Sequence, residues 1–125
     1  MRKLERNEAH LYFELLPKEQ AEVLIELRDR MMKLAKADDE VIMSYQLPTI
    51  QVKGKKFLAM AAWKNFYSIY FLNGNLGAQI GKELDQGELD KATLRFAWDE
   101  KVSNTTLKII IAGRKKQLDF DWFTI

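Results

Sequence analysis

Cysteine is absent from the 125-residue chain. That excludes disulfides, thiolate metal sites and thiol nucleophiles, and it suits a reducing, cytoplasmic setting. Histidine occurs once, as His10, which removes zinc sites of the usual His/Cys kinds. No apolar run approaches the ~20 residues of a membrane-spanning helix. The opening Met1-Arg2-Lys3-Leu4-Glu5-Arg6 lacks the apolar core of a secretory signal, so none is expected. A large charge of one sign is also missing. The formal net charge is +2, and Lys and Arg are interleaved with Asp and Glu. With no basic tract, nucleic acid is not an expected partner. There is no repeat, low-complexity segment or Pro/Gly/Ser-rich linker.

What is present has an ordinary globular balance: 47% hydrophobic and 30% charged residues. A chain this long suits one domain and buries roughly two-thirds of its unfolded surface. The domain is expected over residues 1–118. A short aromatic, acidic tail follows, Asp119-Phe120-Asp121-Trp122-Phe123-Thr124-Ile125.

Leu4, Leu11 and Leu15 recur at helical spacing and predict a first helix over 4–15. Pro17 suits the first position of a second helix, where its missing N–H is no loss. That helix runs to about Lys36, with Leu24, Leu27, Met31 and Leu34 as its stripe. Asp38 and Asp39 can cap a short turn through Glu40 to Met43. The period then changes to two. Ile50 and Val52 alternate with polar residues, Lys53-Gly54-Lys55-Lys56 reads as a hairpin turn, and Phe57 to Trp63 reads as a central strand. Lys64-Asn65 marks a second turn and Phe66 to Leu72 a third strand. Asn75 can cap a short helix through Leu76, Ile80 and Leu84. Thr93 to Phe96 reads as a fourth strand. The last helix starts near Ser103, with Leu107, Ile110, Ile111, Arg114 and Leu118 as its stripe and Gly113 as a weak spot.

Strands joined by tight turns pair antiparallel, and one sheet face must be covered by the helical stripes. The expected class is α+β: a two-layer sandwich with an antiparallel sheet of about four strands, one face covered by helices from both termini.

Four segments carry a likeness: Leu15-Leu16-Pro17-Lys18-Glu19-Gln20, Ser44-Tyr45-Gln46-Leu47-Pro48-Thr49, Phe57-Leu58-Ala59-Met60-Ala61-Ala62-Trp63-Lys64-Asn65 and Lys91-Ala92-Thr93-Leu94-Arg95-Phe96. In order and spacing they resemble the YdhG-like family of small bacterial domains of unknown function, over roughly residues 8–115. The resemblance implies the same α+β fold. It also implies a possible frataxin-like iron-chaperone role, described for one branch. Two positions depart from the family pattern. Phe66 stands where His is frequent, and Ala92 stands where Gly is frequent. The first removes the one imidazole that the family pattern places there.

Three candidate constellations follow. Glu19, Glu22, Glu26 and Asp29 fall at steps of three, four and three along the second helix, and oxygen donors at this density suit a hard cation such as iron. The same residues suit a solvated helix face, since Glu26 can pair with Arg30 and Asp29 with Lys33 at i,i+4. Tyr45, Lys64, Lys91 and Arg95 come from the family-like segments. If their loops and strand ends converge they make a cationic hollow for a carboxylate or phosphate. Equally, Tyr45 and Pro48 can plug a loop while the cations pair with Glu40 or Asp90. Finally, Phe120, Trp122 and Phe123 of the tail can dock on the parent domain or on a second copy in a homodimer.

A catalytic reading finds little. Ser44, Ser68 and Ser103 have no His base other than the distant His10. Gly74, Gly77 and Gly81 match neither phosphate-binding glycine pattern. Nothing in the sequence brings Glu40 and Asp90 together as an acid–base pair. The aromatic run Trp63, Phe66, Tyr67, Tyr70, Phe71, Phe96 and Trp98 is mostly core material, and the near-neutral charge argues against base stacking on it. The expected function is therefore non-enzymatic binding of iron, of a small anion or of a protein.

Overall fold

The computed structural model describes residues 3–43 and 45–118. In chain order they form α1 (Ala9–Glu14), α2 (Lys18–Ala35), β1 (Asp39–Met43), β2 (Leu47–Val52), β3 (Lys55–Ala62), β4 (Phe66–Tyr70), α3 (Leu76–Ile80), a 3-10 turn (Gly81–Glu83), β5 (Glu88–Asp90), β6 (Thr93–Ala97) and α4 (Asn104–Gln117). The strands make one antiparallel sheet in the order β1-β2-β3-β4-β6-β5.

All four α-helices feed one core. Phe13, Leu24, Leu27, Leu76, Leu107 and Ile110 pack against Ile50, Leu58, Met60, Tyr67, Ile69 and Leu94 of the sheet. Burying each such side chain contributes roughly 1.5–3 kcal/mol, so this layer-on-layer contact dominates stability. Strand alternation then fixes the other face. On β4, Tyr67 and Ile69 point at the helices, while Phe66, Ser68 and Tyr70 point away from them.

The α+β class and the helices on one face are as expected, but the sheet has six strands rather than about four. Residues 39–43 form β1 instead of a capped turn. The Asp38 carboxylate is engaged elsewhere, accepting from the backbone N–H of Lys53 at 3.0 Å and of Gly54 at 3.3 Å. It ties the β2–β3 hairpin to the start of β1. The other added strand, β5, is three residues long and wholly exposed, too short to carry a periodic signal.

The first helix is also shorter than expected. Residues before Ala9 run beside the edge strand instead. The Ile42 N–H donates to the Arg6 carbonyl at 2.9 Å, and the Gln46 side chain bonds both N–H and carbonyl of Leu4. These contacts satisfy edge groups that a longer helix would leave open. The last helix starts as expected: Ser103 Oγ accepts from the Thr106 N–H at 3.1 Å.

Two close approaches need glycine. A Cβ on Gly77 would lie 1.8 Å from the Lys91 carbonyl oxygen, and one on Gly113 would lie 2.8 Å from Leu76 Cδ1. The weak spot in α4 is thus where α3 packs against it. The β2–β3 register shifts between Ile50 and Gln51, an irregularity of the bulge kind that lets a strand bend. No helix among the described residues is long and apolar enough to cross a membrane. The tail, residues 119–125, lies outside the described residues.

Candidate functional site

The register settles where the expected anion ligands go. The β1–β2 and β3–β4 turns, carrying Tyr45 and Lys64, lie at one end of the sheet. The β2–β3 and β5–β6 turns lie at the other, and Lys91 is in the latter. Tyr45 is 96% exposed, with left-handed backbone (φ 57°). Arg95 sits in mid-strand on β6, opposite Ser68 of β4 and Glu88 of β5. The four residues therefore do not share one hollow, because antiparallel pairing sends alternate turns to opposite ends. Lys91 has a structural place instead. Its left-handed backbone (φ 55°) forms the β5–β6 turn, and its carbonyl seats against Gly77.

The carboxylates Glu19, Glu22, Glu26 and Asp29 are exposed along α2. Glu26 pairs with Arg30 at 2.8 Å, as its spacing allows. Asp29 pairs with the neighbouring Arg28 at 2.6 Å rather than with Lys33. Among the described residues, no group of three His, Cys, Asp or Glu side chains is arranged to hold a metal ion. Two arginines on the same helix pair with Glu26 and Asp29, half of the ridge that the iron reading needed. His10 is exposed on α1.

One expected residue does line a hollow. Arg95 borders a space of about 540 Å³ with Asn65, Phe66, Gly87, Glu88 and Glu100. Its guanidinium carbon lies 5.7 Å from the centre of the Phe66 ring, within the range of a cation–π contact. It bonds Asp90 at 3.3 Å through Nη2, an exposed pair of small energetic weight. A guanidinium carries five N–H donors, and this pair occupies one edge of it.

Beside Arg95 is an arrangement that the sequence reading missed. Trp63, read as core, is 48% exposed. Its ring stacks 6.3 Å from Phe66, and its Nε1 donates to the Tyr70 hydroxyl at 3.0 Å. Trp63 follows the end of β3, and Tyr70 pairs with Ala59 four residues back along that strand. The indole–phenol bridge therefore passes over the intervening Ala61–Ser68 pair. Ala59 and Ala61 are fully buried and Ser68 is 1% exposed, and the Ser68 Oγ has no hydrogen-bond partner. The signal was present in the sequence: Ala59, Ala61 and Trp63 alternate on one strand face as small, small, large. Its meaning needs the β4 partners.

Two phenols are held protonated near this region. Burial pushes the Tyr67 hydroxyl up to about 12, and it donates to the Glu100 carbonyl. Burial likewise raises Tyr12, whose oxygen accepts from the Ala62 N–H at 2.9 Å at the end of β3. Both act as fixed struts, since neither reaches its anionic form at neutral pH.

No family model matches the chain, and no curated protein matches it by sequence. A solved structure does match by fold. The crystal structure of a DUF1801-family protein, YdhG of Bacillus subtilis, aligns with a TM-score of 0.75 over 92% of this chain and 92% of that one, at 14% identity. The shared α+β architecture agrees with the YdhG-like resemblance of the sequence.

Proposed function

We propose, from the fold shared with YdhG, that this chain is a binding domain for a small anion held at Arg95. The observation that carries the reading is the position of that guanidinium. It lies 5.7 Å from the centre of the Phe66 ring on the rim of a hollow, with an exposed aspartate as its ion-pair partner. A guanidinium stacked on a ring presents its N–H edge for two-pronged recognition of a carboxylate or phosphate. Lys64, one residue from both Trp63 and Asn65, adds positive charge at the same turn. Glu88, opposite Arg95 on β5, and Glu100 line the same hollow, which favours an approach from the Phe66 side. Binding is favoured over catalysis because the single histidine is on α1, which packs on β1 and β2 at the other side of the sheet.

Amide chemical shifts of the full chain, followed during titration with acetate and with inorganic phosphate, test this. Shifts are expected at Asn65, Phe66, Gly87 and Arg95, saturating together, and Arg95→Gln is expected to abolish them. Equal shifts in the Arg95→Gln protein, or none in either, overturn the reading.

A further inference from the structure

The Trp63–Tyr70 bridge roofs a patch that contains nothing large. Beneath it are Ala59 and Ala61 of β3 and Ser68 of β4. Buried hydroxyls are ordinarily hydrogen-bonded, and an unmet one is costly. The Ser68 Oγ is unmet, and the residue directly across from it on β6 is Arg95. Cross-strand partners on one face stand about 5 Å apart at Cβ, a spacing that one carboxylate spans. An orphan donor beside a guanidinium, under a roof, is the layout of a site whose occupant is an anion.

The roof is built to move. The main chain of Trp63 is held: its N–H donates to the Phe66 carbonyl at 2.9 Å, and its carbonyl accepts from Trp98 Nε1 at 3.0 Å. Its indole is held by one hydrogen bond to Tyr70 and by its stack on Phe66, and is half exposed. Rotation about the side-chain bonds takes the ring into solvent without disturbing the strand. The space it leaves is flat, walled by the Phe66 ring and floored by methyl groups. It also frees the Tyr70 hydroxyl.

We propose that Trp63 is a lid and that a flat aromatic carboxylate replaces its ring. The ligand ring lies on Ala59 and Ala61 against Phe66. Its carboxylate accepts from the Arg95 guanidinium and from Ser68 Oγ. The proposal rests on the anion reading of Arg95 and adds the aromatic class, the serine and the moving indole. No covalent step is involved.

The test uses benzoate, with acetate as the carboxylate lacking a ring, on the full chain and three variants. Benzoate is expected to bind about tenfold tighter than acetate, as one well-placed stacked ring allows. It is also expected to red-shift the indole emission that Trp63→Phe removes. Trp63→Ala, which deletes the competing ring, tightens benzoate. Ser68→Ala weakens benzoate about tenfold, the loss of one hydrogen bond to a charged group, and raises the melting temperature because the orphan hydroxyl is gone. The serine variant keeps the test decisive should the tryptophan variants fold poorly. If acetate and benzoate bind alike and Ser68→Ala changes neither, the lid is overturned while Arg95 remains an anion site. If neither probe binds, both readings fall together.

Discussion

Arg114 of α4 donates from Nε to the Phe57 carbonyl at 2.8 Å, and from Nη2 to the Lys56 carbonyl at 3.1 Å. Phe57 lies on β3 beside the β2–β3 register shift. The last helix is thereby tied to the start of β3. Arg114 is only 4% exposed, and burial lowers its pKa from the ordinary arginine value. A charge is kept in the core because two carbonyls need it there.

Replacing Arg114 with Leu keeps the apolar stem and removes both of these bonds. Hydrogen bonds to charged groups are worth about 1.5–3 kcal/mol each, and losing one partner exposes the desolvation cost of the other. A loss of about 3 kcal/mol in urea unfolding is expected, with Arg114→Lys restoring less than half of it.

Gly77→Ala places a methyl carbon 1.8 Å from the Lys91 carbonyl oxygen, a backbone atom that cannot swing aside. A drop of more than about 3 kcal/mol is expected, in the range of severe overpacking. Gly113→Ala meets side-chain methyls, Leu76 Cδ1 at 2.8 Å and Ile80 Cγ2 at 3.0 Å, and the better helix propensity of alanine offsets about 1 kcal/mol of the clash. Melting temperatures of the two variants should rank accordingly, with Gly77→Ala far lower.

The Arg28–Glu40 pair gives a pH signature. Glu40 Oε1 accepts from Arg28 Nη1 at 2.6 Å, and its Oε2 is buried without a hydrogen bond. Burial drives the Glu40 carboxyl upward, and Arg28 only partly opposes it. Arg28 is pulled down by burial, but Glu40 and Asp29 together lift it above its ordinary value. The arginine thus benefits from the ionised pair, yet the carboxylate with one stranded oxygen still resists ionisation. A carboxyl whose folded pKa is raised binds its proton more tightly in the native state. Its stabilising contribution is complete below the ordinary value of 4.5 and is lost as pH rises through the higher folded value. Denaturant midpoints compared from pH 4 upward should show this downward slope in the native sequence and not in Glu40→Gln.

Tyr67 supplies the alkaline counterpart. With its hydroxyl pushed up to about 12, one tyrosine should titrate late in ultraviolet absorbance. Stability should fall as pH climbs from 10 towards 12, because the unfolded chain releases that proton first. Tyr67→Phe should remove the late step and, by stranding the Glu100 carbonyl, cost about 1 kcal/mol.

The helical stripes, the hairpin at Lys53-Gly54 and the Ser103 cap were legible because each is written within a few neighbouring residues. β1 was not, because its identity depends on Asp38 reaching fifteen residues along the chain to the β2–β3 turn. The site was half legible. Arg95 was picked out by residue type and lies on a hollow. Lys91 and Tyr45 were drawn to it only by proximity to motifs, and the turn alternation separates them. Trp63 was assigned to the core because aromatics usually are. Its role depends on Tyr70, which pairs across a strand, and on two alanines whose smallness acquires meaning only beneath a ring.

The exposed strand β5 bears on how the molecule behaves in company. Its three residues, Glu88, Leu89 and Asp90, put carboxylates at both ends of the sheet's outer rim. A foreign strand seeking to extend the sheet there would find a very short template and two negative charges in its way. The same acids that temper Arg95 thereby guard the boundary against runaway stacking.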